Sequence, residues 1–158
     1  MSTLATIRAA IVAAAAAVPD MGQVHAYERY VRGDIKFQEL YLVDLPDGSQ
    51  QLRGWWLRRK GTEEMAGPIG RSADVHTWQL RGYMSLQDES ASELAFDELI
   101  EGFRDAVRAD PTFGGVCEPV PYKAGQPEGV RVQDAGPVMF CGVLCHSAVL
   151  ELQTWSYR

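Results

Sequence analysis

Apolar residues recur at positions 4, 7, 11, 15 and 18, with alanine filling most of the places between them. That spacing follows the 3.6-residue period and predicts an amphipathic helix over residues 3–18. The alanines add helix propensity and keep one face thin, so that another surface can approach closely. Ser2 or Thr3 supplies a capping hydroxyl. Pro19 ends the helix, and residues 19–22 turn the chain out. The pattern then shifts toward alternation. Residues 23–31 predict a strand, with Val24, Ala26 and Tyr30 among polar positions. Residues 35–45 alternate better: Ile35, Phe37, Tyr41, Val43 and Leu45 share one face, with Glu39 the exception. Pro46-Asp47-Gly48-Ser49 is a turn, because proline presets φ and glycine accepts positive φ. Residues 51–59 predict the returning strand of a hairpin.

Residues 60–72 hold three glycines and a proline between two strand patterns. They predict a loop longer than compact domains normally use, which is usually functional or ordered by a partner. Residues 74–86 predict a long strand, with Trp78, Leu80, Met84 and Leu86 on one face and Thr77, Gln79 and Arg81 on the other. Ser90 followed by Glu93 has the spacing of a capping box. The helix it opens would bury Leu94, Phe96, Leu99, Ile100, Phe103 and Val107, and would stop near Asp110, before Pro111. Residues 111–129 are rich in Pro and Gly without a period. A short strand is expected at 129–134 and a last β segment over 137–157, where Ala148, Leu150 and Leu152 alternate with Val149, Glu151 and Gln153. Clustered strands with two main helices predict a single α+β domain over residues 1–158. Its sheet would be antiparallel or mixed, with the helices packed on one face.

The chain carries 23% charged and 46% hydrophobic residues, an ordinary globular balance for one domain of 158 residues. Its net charge of -6 changes the picture more, since binding nucleic acid or an anionic membrane rests on Lys and Arg in excess. No run approaches the ~20 apolar residues of a membrane span. The apolar run over 9–18 has the length of a secretory leader's core, but a single Arg8 precedes it and its larger residues form one helical stripe. Cys117, Cys141 and Cys145 are odd in number, which rules out a complete disulfide framework within the chain and suits reduced thiols.

Candidate chemistry is sparse. Cys141, Cys145 and His146 lie close in sequence, but the C-x3-C spacing lacks the second ligand pair that a zinc site wants. Cys145 and His146 are neighbours, so on a strand they point to opposite faces and do not pair as nucleophile and base. No nucleophile elbow, phosphate-binding loop or dinucleotide fingerprint occurs. The carboxylates around Glu89, Glu93, Asp97, Glu98 and Glu101 sit at helix-surface spacing, as a solvated face does. Trp55 and Trp56 are adjacent, so one ring enters the core while the other meets a helix, a partner or solvent. Trp and Arg are enriched at interface hot spots, which draws attention to Trp55, Trp56, Arg58 and Arg59.

The succession of features resembles the small tail terminator or tail completion proteins of long-tailed bacteriophages, including those of Mu-like and related prophages. The resemblance rests on the helix ending near Pro19, the Val24-His25-Ala26-Tyr27-Glu28-Arg29 segment and the Trp-containing strand over 55–60. It continues through His76-Thr77-Trp78-Gln79-Leu80-Arg81-Gly82-Tyr83, the acidic stretch Asp88-Glu89-Ser90-Ala91-Ser92-Glu93 and the helix over 96–107. It closes on Cys145-His146-Ser147-Ala148-Val149-Leu150-Glu151-Leu152, and so covers nearly the whole chain. The resemblance implies a homo-oligomeric ring, a hexamer, on the head-proximal end of the tail tube. The ring would stop tube polymerisation and meet the head–tail connector, in the virion tail after assembly in the host cytoplasm. It implies no enzyme activity, catalytic residue, metal or cofactor. DNA would pass through an acidic ring without sequence-specific binding. Residue chemistry alone places the candidate interface at Trp55, Trp56, Arg58 and Arg59 and in the 60–72 segment at Glu63, Glu64, Met65, Ile69 and Arg71. The alternatives are another head–tail connector or neck protein, a small cytoplasmic metal protein or enzyme using Cys141, Cys145 and His146, and a small-molecule module using the tryptophans.

Overall fold

The computed structural model describes residues 3–66, 70–121 and 123–158. Its elements run α1 (Leu4–Ala16), β1 (Gln23–His25), α2 (Asp34–Glu39), β2 (Leu42–Asp44), β3 (Gln50–Ala66) and β4 (Ser72–Ser85). A short 3-10 turn (Asp88–Ser90), α3 (Ser92–Ala109), β5 (Arg131–Phe140) and β6 (Val143–Tyr157) follow. The strands form one mixed sheet in the order β1-β3-β4-β6-β5, with β2 also pairing β3. The β1–β3 pairing is parallel and the others antiparallel. This is the α+β architecture that the pattern predicts.

The apolar stripes decide where the helices sit. Thr3 caps α1 by accepting a hydrogen bond from Thr6 N at 3.2 Å, while Ser2 lies outside the described residues. α1 buries Ile7, Ile11 and Ala15, and α3 buries Phe96, Leu99, Ile100, Phe103 and Val107. Both meet the same sheet face, where Trp55, Leu57, Trp78, Leu80, Met84, Ala148, Leu150 and Leu152 form the main core. A second, smaller cluster of Tyr41, Leu52, Trp56 and Cys145 fills one end of the opposite face beneath Phe37 and Leu40.

Several local expectations are corrected. Residues 35–45 do not form one strand: Asp34–Glu39 is a helix and only Leu42–Asp44 pairs with β3. Phe37 and Tyr41 are spaced i,i+4 as well as by an even number, so a short apolar run fits either period. Gly33, at φ 93°, opens the helical alternative, and packing in the second cluster selects it. The strand expected over 23–31 shrinks to Gln23–His25. The expected loop over 60–72 is mostly strand, because β3 continues to Ala66 and β4 starts at Ser72. Gly61, which looks like a breaker, sits at a β-bulge between Arg59 and Gly61 that keeps the two strands paired.

The capping box does not form. Ser90 turns its hydroxyl back to Gln87 O, Ala91 adopts left-handed φ 52°, and the helix begins one residue later. Ser92 takes over, its hydroxyl accepting from Gln87 N at 2.8 Å. Leu94, expected in the core, is 66% exposed. The final β segment is two strands. Cys141 and Gly142, at φ 52° and 74°, make the two-residue turn with positive φ at both positions that suits a tight hairpin.

Two glycines set the packing on the two faces. Gly82 pairs with Trp55 across β4 and β3, and a Cβ there would overlap the indole. Gly54 lies under the Tyr41 ring in the same way. Gly82→Ala is expected to destabilise the domain by about 1–3 kcal/mol through overpacking. Gly61→Ala, where an added Cβ meets nothing within 4 Å, should stay within about 0.5 kcal/mol of the parent. Urea unfolding of the two variants beside the parent measures both values, and equal stability of the two would refute the account.

Candidate functional site

Among the described residues the sheet face opposite α1 and α3 is covered at one end only. Beyond the second cluster it carries a cross-strand row in register: Arg58 on β3, Gln79 on β4, Glu151 on β6 and Arg131 on β5. Alternation along each strand keeps these four side chains on one face. Arg58 Nε donates to Gln79 Oε1 at 3.2 Å. Glu151 is buried and held from two sides, by Lys60 Nζ at 3.0 Å and Arg131 Nη2 at 2.5 Å. In the next row Trp56 pairs with Arg81. The guanidiniums of Arg81 and Arg58 lie 5.5 Å and 6.0 Å from the Trp56 ring centroid, within cation–π range. The Nε of Arg81 is buried and has no acceptor among the described residues. The face thus gathers Arg58, Lys60, Arg81 and Arg131 around a single buried carboxylate, in a chain whose net charge is -6.

The sequence-predicted residues divide. Trp56 and Arg58 lie on this face together. Trp55 is on the other side, fully buried: its Nε1–H donates to Met21 O at 2.9 Å and its ring stacks on Phe96. Trp56 is only 3% exposed, so the domain covers both sheet faces at the tryptophans and neither ring is presented to a partner directly. Arg59 is exposed on the helix side, where Nη1 donates to Thr62 Oγ1. Glu63, Glu64, Met65 and Arg71 are exposed near the far end of the β3–β4 hairpin, and Ile69 lies outside the described residues. Along residues 57–66, β3 has β4 on one side and no strand on the other among the described residues. At the opposite edge β5 is exposed through residues 132–139. Sequence reasoning missed Arg81, Lys60, Glu151 and Arg131. Alternation places Arg81 on the polar face of its strand, but the register that brings four strands into one row is not written locally.

The sequence's candidates for metal or nucleophile chemistry are not brought together among the described residues. Cys145 is buried in the second cluster, while His146 faces the helix side, its Nε2 2.7 Å from Ser92 Oγ. Cys141 sits in the hairpin turn. Among the described residues no group of His, Cys, Asp and Glu has metal-binding geometry. The Ser92–His146 pair has the residue types of a nucleophile and base. The hydroxyl is buried, accepts from Gln87 N and serves the start of α3, and among the described residues no carboxylate hydrogen-bonds the imidazole. A cleft of about 290 Å³ lies between the end of α3 and the 119–130 segment, but its guanidiniums, Arg104 and Arg108, are already paired with Glu101 and Asp105. Among the described residues no helix is long and apolar enough to cross a membrane. No protein-family model and no curated protein matches the chain.

Burial pushes all three thiols up to about 11, with carboxylates adding to the effect at Cys117 (Glu118) and Cys141 (Asp34). The thiolate is the reactive form, so native protein at pH 8 should react slowly with a maleimide or disulfide reagent, and unfolded protein should release three rapid equivalents. A thiol that reacts rapidly in native protein would contradict this burial. His76 is buried at Thr62, 2.8 Å from its hydroxyl, and burial lowers its pKa, with Arg59 and Arg158 acting the same way against Asp74. The folded state therefore binds fewer protons than the unfolded one. Its contribution is present above the ordinary histidine pKa of about 6.5 and is lost as pH falls below it. Melting temperature should drop between pH 7.5 and 5.5, and His76→Gln should flatten that drop.

Proposed function

We propose that this chain is a structural assembly protein, the subunit of a ring of six that caps the head-proximal end of a bacteriophage tail tube and presents a joining surface to the head. One observation carries the proposal. Both lateral edges of the sheet are open over long stretches, β3 through residues 57–66 and β5 through residues 132–139. Monomeric proteins usually cover, shorten or break such edges. Here Pro137 and the charges of Arg58, Arg59, Lys60, Glu63 and Glu64 guard them against uncontrolled pairing, yet leave both accessible.

The resemblance of element order to tail terminators supports the same reading. The open end of a polymerising tube exposes unsatisfied heterologous contacts, and a closed ring can satisfy them. The β3–β4 hairpin around residues 61–76, exposed along its β3 strand, supplies the element that would reach the tube or a neighbouring subunit. The acidic balance suits a channel through which DNA passes without adhering.

Native mass spectrometry over a concentration series should show a closed species near six copies of the 17.5 kDa chain, alone or on tube ends. Replacing the exposed side chains of Glu63, Glu64 and Met65 with serine should leave the β3–β4 pairing intact and abolish capping of purified tail tubes, seen as uncontrolled tube length in electron micrographs. Tubes that remain capped would remove the hairpin from the account. Tube ends that never recruit the intact chain would remove the function.

A further inference from the structure

The cations of the uncovered sheet face have a counterpart on the outside of α3. Leu94, Asp97, Glu98 and Glu101 form an exposed ridge at i,i+3 and i,i+4 spacing, with neighbours about 5–6 Å apart. Glu101 pairs with Arg104, whereas Asp97 and Glu98 have no ion-pair partner among the described residues. On the sheet side, Arg58 and Arg81 likewise form no ion pair among the described residues, although Arg58 reaches Gln79. They are diagonal neighbours on adjacent strands, about 7–8 Å apart. Each patch crowds like charges that the isolated subunit does not neutralise, and Arg81 Nε is short of an acceptor as well. Leu94 stands at the N-terminal end of the acidic ridge, 66% exposed, as an apolar contact beside its charges.

We infer that a second copy of this chain lays the Leu94–Asp97–Glu98 ridge of its α3 against the Arg58–Arg81 face, and that this contact joins neighbouring subunits. The occupant follows from charge complementarity and from where the two patches lie. α3 packs on one face of the sheet, and Arg58 and Arg81 lie on the other. Patches on opposite sides of a subunit cannot satisfy each other in a two-fold dimer. They meet head to tail, and a head-to-tail contact that closes makes a ring.

This inference rests on the ring reading and names its interface. The test uses two charge-reversed chains, Arg58→Glu/Arg81→Glu and Asp97→Lys/Glu98→Lys, examined by native mass spectrometry at low ionic strength. The parent should form a closed ring that weakens as salt rises. Each variant alone should keep its fold by circular dichroism and require roughly tenfold or more higher concentration to assemble. An equimolar mixture should recover rings with alternating subunits and an even copy number, because each variant then meets its opposite charge. Should Arg81→Glu disturb the fold beside Trp56, Arg58→Glu alone serves with the helix variant, whose positions are exposed. Rings that persist in either variant alone, or a mixture that fails to recover them, would overturn the interface while leaving the ring intact as a reading. A parent that stays monomeric at every concentration overturns the interface too, and tube-end recruitment then decides the function separately.

Discussion

Trp55 is the side chain on which the arrangement of layers depends. Its ring stacks on Phe96 at a centroid distance of 5.4 Å, and its indole N–H is spent on Met21 O in the turn after α1. One residue therefore ties the sheet, the long helix and the connection from α1 to β1. The ring has room only because position 82, directly across the ladder, has no side chain. A large aromatic against a glycine is a shape match between neighbouring strands, and it holds β3 and β4 to one register. Once that register is set, the alternation of both strands sends apolar residues toward the helices and polar ones away.

The same register has a second result on the other face. With Trp55 committed to the main core, Trp56 must point to the opposite side, where Tyr41, Leu52 and Cys145 receive it. The aromatic cluster is short, however, and ends within the sheet. Beyond it Arg58, Gln79, Glu151 and Arg131 fall into line across four strands. The buried Glu151 carboxylate, with a cation on each side, keeps this stretch of sheet paired and polar and leaves it uncovered by any helix. The domain thus has its main apolar core on one side of the sheet and a charged surface on the other.

Much of the fold was legible because long periodic segments carry redundant information. α1, α3, β4 and the Ala148–Leu152 alternation each repeat their period several times, and a single exception such as Leu94 does not blur them. The short elements were less legible. Residues 34–44 suit helix and strand alike, and the choice was made by tertiary contacts of Phe37 and Tyr41. The Cys141–Gly142 turn was hidden because cysteine is not a residue that signals positive φ, and Gly61 looked like a loop residue where it makes a bulge. The candidate site was legible in part. Trp56 and Arg58 announce themselves by type, whereas Arg81, Lys60, Glu151 and Arg131 join them only through pairing between strands far apart in sequence. No local pattern encodes that pairing, and Trp55 shows the opposite limit, since its type suggests a surface role and its burial excludes one.

The strand order also governs the timing of assembly of the domain itself. β4 lies at the middle of the sheet, and its second neighbour is β6, so residue 80 waits for residue 150. On a ribosome adding about 5–20 residues per second, that separation takes on the order of 4 to 14 seconds. For that interval β3 and β4 can pair with each other while the edge of β4 that β6 later takes stays open, and Trp78 and Leu80 wait for the β6 part of their core. Non-local pairing of this kind folds slowly and is the stage most exposed to mispairing with other nascent copies. The chain is thus most exposed to mispairing before its last strand arrives.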